Sequence, residues 1–189
     1  MKKYLIFTDL DGTLLDHENY SYGNNKKTIT SIINNKNDVI FNTSKTFSES
    51  INLLKKLNLT NMPFSTENGA LLYFPKNRFK KIKNSSDYGK YWKIRIAKLS
   101  SKNWHQFLLK KQKKFKLLIA QDLPSKILKK YTNLDNTSKM LNREASQIIL
   151  WEDSLVNLKK FKNELKSEKQ GVLIQGSRFM QVSSVCNKR

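Results

Sequence analysis

Residues 4–16 read YLIFTDLDGTLLD, and this stretch indicates how the N-terminal part of the chain folds. Its apolar start, residues 4–8, is typical of a short buried strand, and the Asp-Gly pair that follows is a common turn dipeptide. Asp9 and Asp11 therefore lie at the end of a strand, about 7 Å apart by the strand rise. Together with Asp16, they place three of the chain's 15 acidic residues in this one stretch.

The segments that follow alternate between helix and strand patterns. Residues 26–35 predict a weak helix, residues 38–42 a second buried strand, and residues 47–57 an amphipathic helix. Thr46 and Glu49 have the spacing of a capping box at the start of the second helix. Continuous apolar strands that alternate with helices predict an α/β fold, in which helices cover a parallel sheet.

The pattern changes after residue 64. Residues 64–74 predict two strands joined by a turn, residues 80–90 are polar and linker-like, and residues 91–99 predict a helix. Helical patterns then cover residues 104–115, 125–131, 135–142 and 155–166, and strand patterns cover residues 147–151, 172–175 and 178–183. This mixture predicts an α+β module with antiparallel strands.

The composition limits the partners that the chain can be expected to bind. The net charge is +21, but almost all basic residues are lysines spread along the whole sequence, which argues against nucleic acid as the main partner. Such a positive field favours a small anionic substrate. The single cysteine, Cys186, is typical of a reducing cytoplasm, and no apolar stretch approaches the length of a membrane span.

The opening acids are candidates for catalysis and metal binding. Ligands of open α/β sheets bind beyond the carboxyl ends of the strands, where Asp9 is predicted to lie. One of the carboxylates, Asp9 or Asp11, could attack an electrophile while the other transfers a proton. Oxygen ligands of this kind also suit Mg²⁺ shared with a phosphate. A plain Asp-Gly turn remains the alternative.

Two further segments are predicted to reach the same edge of the sheet. Thr43 and Ser44 end the second strand and open a helix, so hydroxyls and helix amides there could bind an anion, with Lys45 adding charge. The alternative is ordinary N-capping. The Glu-Asn-Gly turn at residues 67–69 follows the third strand, and a simple hairpin turn is its alternative.

Taken together, these motifs resemble a known enzyme family. Residues 9–13 (DLDGT), 43–46 (TSKT) and 67–70 (ENGA) resemble the haloacid dehalogenase (HAD) superfamily of phosphatases, in the subgroup with an inserted α+β cap. Residues 142–146 (NREAS), followed by Trp151, and residues 175–179 (QGSRF) are similar to the cap signatures of the mannosyl-3-phosphoglycerate phosphatase family. The resemblance covers nearly the whole chain.

The resemblance implies a role for each matching residue. Asp9 would be the nucleophile, Asp11 the proton donor and acceptor, and both would hold Mg²⁺. Thr43 and Lys188 would contact the phosphoryl oxygens during catalysis. The residues implied in substrate binding are Ser44, Lys45, Asn68, Gly69, Arg143, Glu144, Ser146 and Arg178. From the residues alone, Arg143 and Glu144 would be interpreted as a solvated helix end.

The resemblance also implies a domain organisation. Residues 1–83 would form the N-terminal part of a Rossmann-like HAD core, residues 84–185 the α+β cap, and residues 186–189 the start of a further core segment. Family members continue into an acidic Gly-Asp-Gly-x-Asn-Asp segment that completes the Mg²⁺ site. This sequence stops at Arg189, so we expect a C-terminally truncated chain. Gln181 also stands where the family carries His.

Two hypotheses on function follow. The first is a Mg²⁺-dependent phosphatase that hydrolyses a phosphorylated sugar-glycerate, such as mannosyl-3-phosphoglycerate, through an aspartyl-phosphate. The alternative is a truncated, catalytically impaired remnant that at most binds sugar phosphates. In both hypotheses the ligand is a small anionic phosphosugar and the protein is cytoplasmic.

Overall fold

The computed structural model describes residues 3–10, 13–14, 23, 25–132, 137–176 and 179–184. These residues fall into two compact units, the first extending to Arg95 and the second beginning at Ile96. Each unit consists of one sheet with its own helices, and the first contains parallel strands. The predicted α/β class is therefore confirmed.

Six strands form the sheet of the first unit. They are β1 (Leu5–Asp9), β2 (Asp38–Asn42), β3 (Phe64–Thr66), β4 (Leu71–Pro75), β5 (Ser86–Tyr88) and β6 (Tyr91–Arg95). Their order in the sheet is β1-β2-β3-β4-β6-β5. The first three strands pair in parallel and the others antiparallel, so β1, β2 and β3 all end at the same edge.

Two helices connect the parallel strands, as the sequence predicts. They are α1 (Asn25–Asn34) and α2 (Phe47–Leu57). The capping box at the start of α2 is confirmed, because the backbone N–H of Thr46 donates to Glu49 Oε2 at 2.8 Å and Glu49 N–H donates back to the Thr46 hydroxyl. Leu54 and Leu57 of α2 are buried in the core of the unit.

Strand β1 differs from its prediction in burial. It lies at one end of the sheet that the structure describes, and Leu5 and Phe7 are 56% and 61% exposed. The prediction of a buried strand is therefore wrong for β1, whose five residues are all exposed or half-buried. Val39 and Phe41 of β2, which has a neighbour on each side, are fully buried as expected.

The second unit is a four-stranded antiparallel sheet with helices. Its elements are α3 (Ser101–Lys111), β7 (Leu117–Ile119), α4 (Ser125–Thr132), α5 (Thr137–Leu141), β8 (Ser146–Trp151), α6 (Leu155–Lys169), β9 (Val172–Gln175) and β10 (Met180–Ser183). The strand order is β7-β8-β10-β9. An apolar cluster that includes Trp104, Ile149 and Phe161 packs α3 and α6 on the sheet. Trp151, which is partly buried, packs against this cluster.

Three predictions from the sequence need correction. Residues 91–99 do not form a helix, because Tyr91–Arg95 is strand β6 and pairs with β4. The segment 80–90 is not only a linker, since it contains β5, and it belongs to the first compact unit. The division into core and cap at residues 83 and 84 stays a prediction. The helix predicted for residues 104–115 ends at Lys111, and the short strand β7 follows it. None of the helices in the described part of the chain combines the length and apolar character that a membrane crossing needs.

Candidate active site

Residues at or next to the ends of the three parallel strands form a row across the edge of the sheet. Asp9 of β1 is in register with Asn42 of β2, and Asn42 is in register with Ser65 of β3. The Ser65 hydroxyl donates to Asn42 Oδ1 at 2.7 Å. We call Asp9, Asn42 and Ser65 the strand-end row. Because ligands of open α/β sheets bind beyond this edge, the row marks the candidate site.

Asp9 is held in a defined orientation at the end of β1. Its Oδ1 accepts a hydrogen bond from the backbone N–H of Leu10 at 2.7 Å, and its backbone carbonyl accepts from the Thr8 hydroxyl at 3.0 Å. Leu10 itself is fully buried, which anchors the backbone just beyond the strand. The Asp9 carboxylate, which is half-buried, is therefore positioned by its own loop.

The loop after β2 supplies hydroxyl and amide groups to the same edge. Thr43 is fully buried, and its hydroxyl oxygen accepts from the backbone N–H of Lys45 at 3.1 Å. This side chain to backbone bond fixes a tight turn ahead of α2. The positive end of the α2 dipole therefore lies at the candidate site, where it would favour a bound anion.

The turn after β3 is joined to this loop by two backbone hydrogen bonds. The N–H of Glu67 donates to the carbonyl of Lys45, and the N–H of Asn68 donates to the carbonyl of Thr43, both at 2.9 Å. The predicted proximity of the segments after β2 and β3 is thus confirmed. The hairpin alternative also holds, because β3 and β4 pair antiparallel on either side of the turn.

The backbone of this turn has an uncommon conformation. Glu67, Asn68 and Gly69 have φ values of 51°, 60° and 88°, all in the left-handed region. For a residue such as glutamate, this region costs on the order of 1–3 kcal/mol. Glu67 and Asn68 are nevertheless buried. The surrounding structure therefore holds the turn in place, which is a feature common at functional sites.

In the second unit, the predicted cap residues lie beside a buried polar group. Arg143 is buried, and its Nη1 donates to the Ser146 hydroxyl at 3.2 Å. Ser146 is in register with Ser183, and Gln181 lies two residues before Ser183 on the same face of β10. We call Arg143, Ser146, Gln181 and Ser183 the second-unit polar group. Their burial excludes a solvated helix end for Arg143.

Glu144 has a different place in the second unit. Its backbone carbonyl accepts from the N–H of Ser101 at 2.8 Å, so its main chain contacts the start of α3. Its role in substrate binding stays a prediction. Asp11, Arg178 and Lys188 lie outside the described residues.

Sequence reasoning overlooked two members of the strand-end row. Asn42 and Ser65 were interpreted only as strand residues, although each is a polar side chain near the end of an apolar strand. The available signal was a polar residue at or next to the end of an apolar strand, because such a residue occurs in all three parallel strands. Their hydrogen bond shows that they support the edge on which Asp9 and Thr43 lie.

The described residues offer one candidate oxygen ligand for Mg²⁺ at this edge. Mg²⁺ takes oxygen ligands and is often bound by one or two carboxylates together with water and phosphate oxygens. Asp9 offers a carboxylate of this kind at the edge of the sheet. Among the described residues, no group of three His, Cys, Asp or Glu side chains is arranged to hold a metal ion. Asp9 therefore fits as one ligand of such an ion.

Comparisons with known proteins agree with this arrangement. The family model described as haloacid dehalogenase-like hydrolase matches residues 6–187. A protein of Methanococcoides burtonii named glucosyl-3-phosphoglycerate/mannosyl-3-phosphoglycerate phosphatase is 34% identical over 142 residues, which are 74% of this chain. The match covers 52% of that protein, so the chain spans about half the length of this curated relative.

Solved structures show the same fold. A haloacid dehalogenase-like hydrolase from B. subtilis superimposes with a TM-score of 0.61 at 12% identity, covering 100% of this chain and 75% of that protein. One from Bacteroides thetaiotaomicron has a TM-score of 0.61 at 14% identity, covering 96% and 71%. With the strand-end row at the expected edge and a family model that spans almost the whole sequence, this chain belongs to the haloacid dehalogenase-like hydrolase family.

Proposed function

We propose that this protein is a phosphatase that hydrolyses a phosphorylated sugar-glycerate such as mannosyl-3-phosphoglycerate. The observation that carries the proposal is the position of Asp9, which ends the first parallel strand in register with Asn42, at the edge where the Thr43–Lys45 loop and the Glu67–Asn68 turn are hydrogen-bonded together. The family match and the name of the Methanococcoides burtonii relative support the reaction and the substrate class.

In the first step, an Asp9 carboxylate oxygen attacks the phosphorus atom of the substrate. The bond between phosphorus and the glycerate oxygen breaks, and the phosphoryl group is transferred to Asp9 as an aspartyl-phosphate. Asp11, two residues further along, donates a proton to the departing alkoxide. The hydrogen bond from the Leu10 N–H holds one Asp9 oxygen, which helps to aim the carboxylate at the phosphorus.

In the second step, water attacks the aspartyl-phosphate. Asp11, which has lost its proton in the first step, accepts a proton from that water, so the bond between Asp9 and phosphorus breaks and inorganic phosphate leaves. The Thr43 hydroxyl and the start of α2 hold the phosphoryl oxygens in both steps, together with Lys188. Both aspartates then return to their starting protonation states.

Mg²⁺ is part of the proposal as the cofactor. Asp9 and Asp11 would hold it, and when bound it would offset the negative charge of the phosphoryl group. The protein itself contributes the fixed Asp9 orientation and the anion-binding loop after β2. Chelation with EDTA is expected to reduce turnover to background, and added Mg²⁺ is expected to restore it.

The second unit is proposed to recognise the sugar and the glycerate. Arginine suits a carboxylate because its guanidinium can donate two parallel hydrogen bonds, which favours Arg143 and Arg178 for the glycerate carboxylate. Ser146 holds the Arg143 side chain at 3.2 Å, and Glu144 is a candidate for sugar hydroxyls. A cytoplasmic location is proposed from the single cysteine of the sequence.

The test is release of inorganic phosphate from mannosyl-3-phosphoglycerate with Mg²⁺, by the wild type and by Asp9→Asn. We expect Asp9→Asn to lower the rate by about 10⁴-fold or more, since it removes the attacking oxygen. Asp38→Asn is the matched control, because Asp38 begins β2 at the opposite edge of the sheet and pairs with Arg78 at 2.6 Å on the surface. That variant should retain wild-type turnover.

Equal rates for the wild type and Asp9→Asn would contradict the proposal. Binding of the phosphosugar by the wild type without any phosphate release would instead support the alternative of a sugar phosphate-binding protein. Glucosyl-3-phosphoglycerate, assayed in parallel, determines which sugar is preferred.

A further inference from the structure

A large open cavity lies in the first unit, apart from the strand-end row. Its volume is about 970 Å³, within the range of about 300–1,000 Å³ that is typical of small-molecule sites. Its walls come from α2, the loop after α2, the end of β4 and the turn between β5 and β6. Asp9 and the Thr43–Lys45 loop do not line it, so it is distinct from the proposed phosphatase site.

The floor of the cavity is built from aromatic and aliphatic side chains. Phe47 of α2 meets Tyr88 edge-to-face, with ring centroids 4.9 Å apart and an interplanar angle of 79°. It meets Tyr91 in the same way at 5.8 Å and 80°. Ile51 and Pro75 complete the apolar surface. Rings packed in this manner form an apolar surface against which a planar ligand can pack.

Tyr91 contributes a ring and not a charge. Its hydroxyl donates to the carbonyl of Thr60 at 2.8 Å, and burial raises its pKa above the usual value of 10.0. The side chain is therefore neutral at physiological pH, and its hydroxyl already has a partner. Recognition of a ligand at this position would depend on ring contacts.

The rim of the cavity is basic. Lys55, Lys76 and Lys90 line it, and none of the lining residues, all of which are described, is acidic. One of these lysines has an acidic partner, because the Asp87 carboxylate pairs with Lys76 Nζ at 2.5 Å. Lys76 is therefore partly neutralised. Lys55 and Lys90, both exposed, remain the main source of positive potential at the rim.

We propose that this cavity binds a small aromatic anion, that is, a planar ring system that carries a phosphate, sulfonate or carboxylate group. The ring packs against Phe47, Tyr88 and Ile51, and the anionic group lies between Lys55 and Lys90. A neutral ring compound would leave the lysines unused, and a small inorganic anion would leave the apolar floor uncovered. A ligand that combines both features matches the cavity best.

The experiment is a calorimetric titration of the intact chain with 2-naphthalenesulfonate, with amide shifts recorded by NMR to locate the site. 2-Naphthol serves as the neutral ring compound and methanesulfonate as the anion without a ring. We expect 2-naphthalenesulfonate to bind more tightly than either of them. The largest amide shifts are expected at Ile51, Tyr88 and Gly89.

Two double variants separate the cavity from general charge. Lys55→Glu/Lys90→Glu should weaken 2-naphthalenesulfonate binding by about ten-fold or more, since two attractions become repulsions. Lys56→Glu/Lys80→Glu changes the net charge by the same amount outside the cavity, and should stay within about two-fold of the wild type. Equal weakening by both double variants would overturn the proposal.

A third variant tests the apolar floor. Ile51→Ser removes part of the apolar floor and should weaken binding by about five-fold or more while the thermal unfolding temperature is maintained. Asp9→Asn should bind 2-naphthalenesulfonate like the wild type, because it changes only the proposed phosphatase site. Undiminished binding by folded Ile51→Ser, or equal affinity for 2-naphthol, would overturn the proposal.

Discussion

The two units hold their polar groups in different ways. In the first unit, Asp9, Asn42 and Ser65 lie where parallel strands end, and short loops hydrogen-bond to one another beyond them. In the second unit, Ser146, Gln181 and Ser183 lie on the neighbouring antiparallel strands β8 and β10, and all three are buried. Asp9 and Asn42 are only half-buried, so they can change with little effect on the core. The loss of a buried polar side chain in the second unit disturbs the packing of the sheet.

The largest loss of stability is expected in the apolar core of the second unit. Leu165 of α6 is fully buried, whereas Leu155 at the start of the same helix is 82% exposed. We predict that Leu165→Ala lowers the free energy of unfolding by about 2–5 kcal/mol, because it leaves a cavity in the core. Leu155→Ala is the matched control and should stay within about 0.5 kcal/mol of the wild type.

Denaturant unfolding monitored by tryptophan fluorescence measures this effect, since Trp104 and Trp151 belong to the second unit. Equal losses for the two leucine variants would contradict the assignment of the core.

The second-unit polar group should show an intermediate effect on stability. We predict that Ser146→Ala lowers the free energy of unfolding by about 1–3 kcal/mol, because it removes an acceptor of the buried Arg143 guanidinium. Ser167→Ala is the control, since the Ser167 hydroxyl donates to the carbonyl of Glu164 at an exposed position. Denaturant unfolding curves should show a lower free energy of unfolding for Ser146→Ala than for Ser167→Ala. A Ser146→Ala variant that is as stable as the wild type would contradict a structural role for this hydrogen bond.

At the strand ends, we expect a smaller loss of stability and a larger loss of activity. Thr43→Val keeps the shape of the side chain but removes the oxygen that accepts from Lys45 N–H, which costs about 1 kcal/mol. The same oxygen is proposed to face the phosphate, so phosphatase activity should fall by more than the change in stability explains. Thr43→Ser restores the hydroxyl and should recover most of the activity. If Thr43→Val lost phosphatase activity only in proportion to its unfolded fraction, the proposed difference between the polar groups of the two units would be contradicted.

The smallest effect concerns pH. Hydrogen bonds from Lys111 and Lys114 of the α3 region lower the pKa of Glu164 on α6 below its ordinary value of 4.5. A carboxylate with a lowered pKa stabilises the fold above its unfolded-state pKa, and this contribution disappears as the pH falls through the lowered value. At the surface it amounts to about 1 kcal/mol or less and decreases with salt. Glu164→Gln should therefore lose stability at pH 7 and approach the wild type in acid.

The fold of the first unit was largely predictable from its sequence. The apolar run at residues 38–42 and the capping box at Thr46 and Glu49 are local signals, and both match the structure. Tyr91–Arg95 was predicted as helix because its residues fit a helical spacing. Its pairing with β4 is a contact between distant segments, and tertiary pairing overrides local propensity in such cases.

The candidate site was predictable where a motif lies at a strand end, as it does for Asp9 and Thr43. The hydrogen bonds between the loops depend on the spatial order of β1, β2 and β3, which the sequence pattern only suggests. The grouping of Ser146 with Ser183 depends on the register of β8 and β10. A shift of one residue would turn these side chains to the other face, so no local signal could predict it.

Trapping of the phosphorylated enzyme tests most directly whether Asp9 is the nucleophile. The wild type would be mixed with mannosyl-3-phosphoglycerate and Mg²⁺, quenched in acid during turnover, and digested for mass spectrometry. We predict one phosphoryl group, on Asp9, that is absent from Asp9→Asn and present in Asp38→Asn. Phosphate release without any phosphorylated peptide, or with the phosphoryl group on another residue, would contradict the role of Asp9.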